Sequence, residues 1–125
     1  MTKIISSPTC GNSPKMEFLK KFNIAFAEGN VDFLSECVVE DIVWNIVGDR
    51  KIDGIDKFME ELEKMKSKKV TELIINQILS HGKEGASNGI MKMQNGKQYA
   101  FSDFYVFKNT KSTVLKSITS YVIEI

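Results

Sequence analysis

In the stretch "FSDFYVFKN" (Phe101 to Asn109) a single carboxylate, Asp103, interrupts a run of aromatic and branched residues. Side chains of a strand alternate between its faces, so Phe101, Asp103, Tyr105 and Phe107 share one face and Ser102, Phe104, Val106 and Lys108 the other. A carboxylate that travels with three aromatics is either turned to water near a sheet edge or set into an apolar pocket. The alternation favours the pocket. There, loss of hydration disfavours the charged form and raises the pKa, which fits the group to act as a hydrogen-bond donor, acid or base toward a ligand. Two further side chains could orient a carbonyl beside it. Asn45, in "DIVWNIVG", offers a non-titrating amide. Tyr121 belongs to the alternation Leu115, Ser117, Thr119, Tyr121, Ile123, whose mixture of small polar and larger groups suits a partly hydrated cavity wall. Trp44 precedes Asn45 and points to the opposite face, so the two line one cavity only where the strand bulges.

Other reactive residue types are sparse. The one histidine, His81, stands beside the turn-like "HGKEG" and reads as a solvated surface residue. Cys10 and Cys37 have no CxxC or Cys/His spacing, which removes the usual zinc arrangements. Neither a metal nor a cofactor is expected. Cys37 lies in "FLSECVV" and reads as a small buried hydrophobe. A disulfide is disfavoured in a reducing compartment. Met91 and Met93 read as packing.

These residues have to be positioned by a fold whose signals run in order along the chain. Residues 1–12 show no periodicity and are expected to form a flexible tail, with a single domain over 13–125. In "SPKMEFLKKFNIAFAEGN", Ser13 can cap a helix, Pro14 suits its first position, and Gly29 with Asn30 supplies the stop. Phe18, Phe22, Ala25 and Phe26 give that helix an aromatic face. A short helix "VDFLSECV", the strand "DIVWNIVG" and a third helix in "GIDKFMEELEKMKSKK" follow, the last with acids early and lysines late, as the helix dipole prefers. The remainder reads as four strands in antiparallel succession: "VTELIINQILS", "GASNGIMKMQ", "KQYAFSDFYVFK" and "STVLKSITSYVIEI". Asn95-Gly96 is a hairpin turn, and Asn88-Gly89 is expected as a bulge or bend within a strand. Helices gathered at the front and strands at the back predict an α+β domain, with a strongly curved sheet wrapping the helices and a cone-shaped cavity on its concave face.

The chain has 125 residues, enough for one well-formed core, and 17 basic against 16 acidic residues give a net charge of +1 and no global attraction to nucleic acid. Its apolar runs are short, so no membrane span is expected and the cytoplasm is the default location.

The quoted segments also resemble those of a known family. "FNIAFAEGNVDFLSECVVEDIVWNIVG", "IDGIDKF", "SDFYVFKN" and the closing "SYVIEI" are similar, in order and spacing, to the nuclear transport factor 2-like (NTF2-like) superfamily and within it the SnoaL-like group of polyketide cyclases. The resemblance covers roughly residues 14–125 and implies a cone-shaped α+β barrel, three N-terminal helices packed on a strongly curved, mostly antiparallel sheet. Its enzymes carry different catalytic sets, and each is incomplete here. At the positions matching the ketosteroid isomerase Tyr, Asp and protonated Asp stand Phe22, Asn45 and Asp103. The dehydratase-like acid position holds Ala27, and the epoxide-hydrolase Arg and terminal carboxylate positions hold Phe101 and Ile123.

Two functions follow as expectations. The first is a small-molecule-binding protein with an aromatic-lined hydrophobic cavity formed by Phe22, Phe26, Trp44, Asn45, Phe101, Asp103, Tyr105 and Tyr121, taking a small apolar or carbonyl-bearing molecule. The alternative is a cyclase- or isomerase-type enzyme acting through Asp103 on a small carbonyl-bearing or polyketide- or steroid-like substrate. A homodimer is expected on the convex face, where Phe104, Val106, Ile118 and Val122 would otherwise leave an apolar patch in water. A third reading is an interaction module whose dimer is its function.

Overall fold

The computed structural model describes residues 2–8 and 13–125. Helix α1 (Pro14–Glu28) begins where Ser13 Oγ accepts the Met16 N–H at 3.2 Å and ends at Gly29, which takes a left-handed φ of 72°. It buries Leu19, Phe22, Asn23, Ala25 and Ala27. Asn30 caps α2 (Val31–Glu36) by accepting the Phe33 N–H, and α3 (Ile55–Met65) starts after Gly54. The strands are β1 (Lys3–Ser6), β2 (Val38–Ile46), β3 (Arg50–Asp53), β4 (Val70–His81), β5 (Glu84–Met93), β6 (Gln98–Phe107) and β7 (Leu115–Glu124).

They form one seven-stranded sheet in the order β1-β4-β5-β6-β7-β2-β3. The run β4 to β7 is antiparallel, as expected; β2 joins β7 in parallel, and β1 joins β4 in parallel. Helix α1 crosses β4 and β5, while α3 packs on β2. Between helices and sheet lies one core that includes Leu19, Phe22, Leu34, Ile42, Trp44, Phe58, Leu73, Tyr105 and Phe107. Lys15 fastens the start of α1 to two loops through the carbonyls of Gly82 and Thr110, its ammonium 5.0 Å from the centre of the Phe107 ring.

Four features depart from the sequence reading. Part of the expected tail is β1, whose residues Lys3–Ser6 pair with Glu72–Ile75 because β4 would otherwise present a free edge of backbone donors and acceptors. Cys10 and residues 9–12 of that segment lie outside the described residues. Strand β3 is unforeseen, being short and charged, yet it pairs antiparallel with β2 after the turn at Gly48. The bulge expected at Asn88-Gly89 sits on the partner strand, where the β4 register skips Asn76. Gly89 instead allows close approach: a Cβ there would collide with the Ile74 carbonyl oxygen.

The fourth departure changes which residues face inward. Between β6 and β7 the register shifts, with Val106 opposite Ser117 but Phe107 opposite Leu115, so Lys116 is an extra residue. Leu115 and Ile118 therefore both enter the core, and the alternation beyond the bulge is the reverse of the one read from Leu115. Ile118, expected on the convex face, is a core residue.

Candidate functional site

The site is a row of polar groups crossing the concave face. Ser87, Asp103 and Ser120 stand directly opposite one another on β5, β6 and β7, so all three point the same way. Helix α1 lies over this row and delivers Asn23, one turn after Leu19 on the buried stripe. The Asn23 amide donates to Leu19 O at 2.8 Å, and lies 3.2 Å from Tyr105 Oη and 3.3 Å from Ser87 Oγ. Ser87 Oγ and Tyr105 Oη are 2.8 Å apart, and Tyr105 Oη donates to Asp103 Oδ2 at 3.4 Å. From the other side, Trp44 Nε1 donates to Ser120 Oγ at 2.9 Å.

Donor chemistry gives this network a direction. The Trp44 and Asn23 nitrogens can only donate. Ser120 thus accepts from Trp44 and turns its own proton to Asp103, while Tyr105, supported by Ser87 and Asn23, donates to the same carboxylate. Burial pushes the Asp103 pKa up to about 6, against the pull of the Ser120 and Tyr105 hydroxyls in the other direction. Tyr105 itself is held well above the ordinary phenol range, first by burial and then by the Asp103 charge. Among the described residues no Lys, Arg or His forms an ion pair with Asp103. The donor role anticipated from the sequence belongs to the protonated form of Asp103, and an acceptor role to its carboxylate.

Of the residues named from the sequence, Phe22, Phe26, Trp44, Phe101 and Tyr105 share the interior with Asp103. Phe22 meets Tyr105 edge-on at 6.0 Å, Phe26 meets Trp44 in the same way at 6.0 Å, and Trp44 rests on Phe58 at 5.7 Å. Asn45 and Tyr121 do not join them. Asn45 is exposed on the outer face, opposite Thr119 and Lys51, because the β2 register runs unbroken through Trp44. Tyr121 is 46% exposed and packs edge-on against Phe104 on the outer face, a consequence of the Lys116 bulge.

Asn23, Ser87 and Ser120 were missed. Asn23 carried a signal, being an amide at helical spacing from Leu19 and Phe26. Ser87 and Ser120 carried none, since small hydroxyls are ordinary on either face of a strand. His81 is exposed next to Gly82, and Cys37 is a buried thiol whose pKa burial pushes up to about 11.

Two cavities flank α3. One, of about 460 Å³, is bordered by Arg50, Lys51, Lys57, Glu60, Glu61 and Lys64, and the buried Glu61 is held there by Arg50. The other, of about 350 Å³, opens between Phe26, Gly29, Met65 and Val70 and carries Lys68 and Lys69 on its rim. It adjoins the aromatic interior at Phe26.

No protein-family model and no curated protein matches the sequence. Solved structures match the fold. An NTF2-like protein of unknown function from Cytophaga hutchinsonii is 22% identical over 86% of this chain and 97% of its own, with a TM-score of 0.68. The chain has the NTF2-like fold. SalBIII, an epoxide hydrolase/cyclase-like enzyme in pyran ring formation of the polyether salinomycin, superposes at a TM-score of 0.73 with 18% identity, over 87% of this chain and 90% of that one. An LEH-like epoxide hydrolase of M. tuberculosis gives 0.72 at 16% identity, over 87% and 82%. The NTF2-like assignment agrees with the resemblance read from the sequence, and identities this low speak for the fold alone.

Proposed function

We propose that the protein binds a small, largely apolar molecule at the concave face of the NTF2-like cone, with Asp103 recognising its polar end. The observation that carries this reading is a carboxylate on the aromatic inner face of β6 with no cationic partner among the described residues, approached by the Tyr105 hydroxyl on one side and by the Ser120 hydroxyl, which Trp44 holds, on the other. An asparagine would fill the same space without the penalty of burying a charge. The carboxylate therefore serves chemistry rather than stability.

A second reading, an enzyme of the cyclase or isomerase kind acting on a carbonyl-bearing, polyketide- or steroid-like molecule, draws support from the pKa near 6, since a general base works best when its pKa lies close to the operating pH. The epoxide hydrolase and cyclase-like activities named for proteins of this fold are in keeping with it. Asn45 and Tyr121 are too far around the sheet to serve it, so Tyr105 and Ser120 would orient the substrate beside Asp103. The outer face, where Leu79, Phe104, Tyr121 and Ile123 are exposed, supports a homodimer as the working form.

Trp44 is the only tryptophan, so its emission reports on this interior directly. Titration with small cyclic ketones should change that emission, with Asp103→Leu weakening binding far more than Asp103→Asn. Ketone binding that leaves Trp44 emission and Asp103 variants indifferent would refute the site. Deuterium entry at the ketone α-carbon, followed by NMR in deuterated water and lost in Asp103→Asn, would select the enzyme.

A further inference from the structure

The cavity between the C-terminal ends of α1 and α3 and the start of β4 has an apolar floor and a cationic rim. Phe26, Ala27, Met65 and Val70 form the floor, and Lys66, Lys68 and Lys69 stand around it. None of these lysines has an ion-pair partner among the described residues, whereas Lys3, Lys64 and Lys92 do. Glu28 is the one acid of the lining.

Part of this charge has a structural use. Helix α1 ends here with no basic residue in its last turn, and the Lys66 stem lies against Gly29 so closely that a Cβ there would be 3.1 Å from Lys66 Cγ. Lys66 thereby offsets Glu28 and the negative end of the α1 dipole. Lys68 and Lys69, just past the end of α3, add favourable charge at that helix's C-terminal end but form no ion pair among the described residues. Two such cations above an apolar floor complement a molecule with an apolar chain and an anionic end, and repel a cationic one. The floor residue Phe26 stacks edge-on with Trp44, whose indole bonds Ser120 beside Asp103, so packed side chains link the floor of this cavity to the candidate site.

We infer that this cavity takes the far end of the ligand and selects apolar molecules bearing a carboxylate or phosphate, the anion held by Lys68 and Lys69 and the chain lying on Phe26. This rests on the small-molecule reading above and adds to it an anionic group, at the end of the ligand opposite the one that Asp103 recognises.

Three probes of equal chain length separate the outcomes: octanoate, octanol and octyltrimethylammonium, each titrated into the full chain while Trp44 emission and the amide resonances of Val70, Lys68 and Phe26 are followed. Octanoate should bind at least about tenfold more tightly than the other two, a contrast that two close charges at about fivefold each can provide in water. Its affinity should fall by a similar factor in Lys68→Gln/Lys69→Gln, whose exposed positions spare the fold, and should weaken in high salt. Equal binding of octanol and octanoate would overturn the inference and leave the small-molecule reading standing. Octanoate affinity unchanged in the double variant would overturn it as well. Capture by phosphatidylglycerol vesicles without any response to monomeric octanoate would overturn it in favour of a membrane headgroup. Silence of Trp44 and of the cavity amides toward all three probes would defeat both readings.

Discussion

Replacing Asp103 by asparagine should make the protein more stable at neutral pH. The carboxyl rises from its ordinary 3.8 to about 6 because burial outweighs the Ser120 and Tyr105 hydroxyls. A folded-state pKa above the unfolded one means that between about pH 4 and pH 6 the native protein holds a proton the unfolded chain has released, so stability falls as pH rises through that window and levels off above it. At about 1.4 kcal/mol per pH unit, the full loss is about 3 kcal/mol. The asparagine side chain would keep the shape and remove the titration, but its NH₂ group would face one of the two hydroxyls, Ser120 or Tyr105, which must turn to accept, and that reversal costs about 1 kcal/mol. The expected net gain at pH 7 is therefore about 1–2 kcal/mol, shrinking toward zero or reversing near pH 4. Urea titrations of both proteins from pH 4 to pH 8 measure it, and carboxylates common to both, such as Glu72 with its pKa lowered chiefly by the Lys92 hydrogen bond, cancel in the difference. A wild type more stable than Asp103→Asn at pH 7, with the gap closing in acid, would mean that the carboxylate is held ionised by a partner and that the desolvation argument fails.

Gly89→Ala should destabilise by at least about 3 kcal/mol in the same urea assay, since its methyl would collide with the Ile74 carbonyl oxygen; a loss under about 1 kcal/mol would refute that close approach. With burial and Glu36 raising its thiol to about 11, Cys37 in a Cys10→Ser background should resist iodoacetamide at pH 8 until urea unfolds the chain, and rapid native labelling would contradict its burial. Sedimentation at tens of micromolar, a working range of about that order for stable association, should show a dimer. Phe104→Glu should yield a folded monomer, and a wild-type monomer would dismiss the outer face as an interface.

Much of the architecture was legible because it rests on local chemistry. Ser13, Pro14 and Gly29 delimit α1 at the expected residues, and the Asn95-Gly96 turn joins β5 to β6 with Gly96 at a φ of 89°. Asp103 with Phe101, Tyr105 and Phe107 faces inward as the pleat required. Alternation, however, is a parity argument, and one inserted residue reverses it. The Lys116 bulge moved Tyr121 to the outer surface and Ser120 to the site, and nothing in "LKSITSYVIEI" marks where the insertion falls, since it is fixed by how β7 pairs with β6.

The order of helices and strands, and the presence of one carboxylate on an aromatic inner face, could be read from neighbouring residues because caps, turns and short-range periodicity are local. The company that carboxylate keeps could not. Asn23, Ser87, Ser120 and Trp44 come from four elements scattered along the chain, and they meet because α1 lies across β4 and β5 while β7 seats β2 in parallel register. The site's acidity is a property of that meeting, in which burial removes water from Asp103 and two hydroxyls replace only part of it.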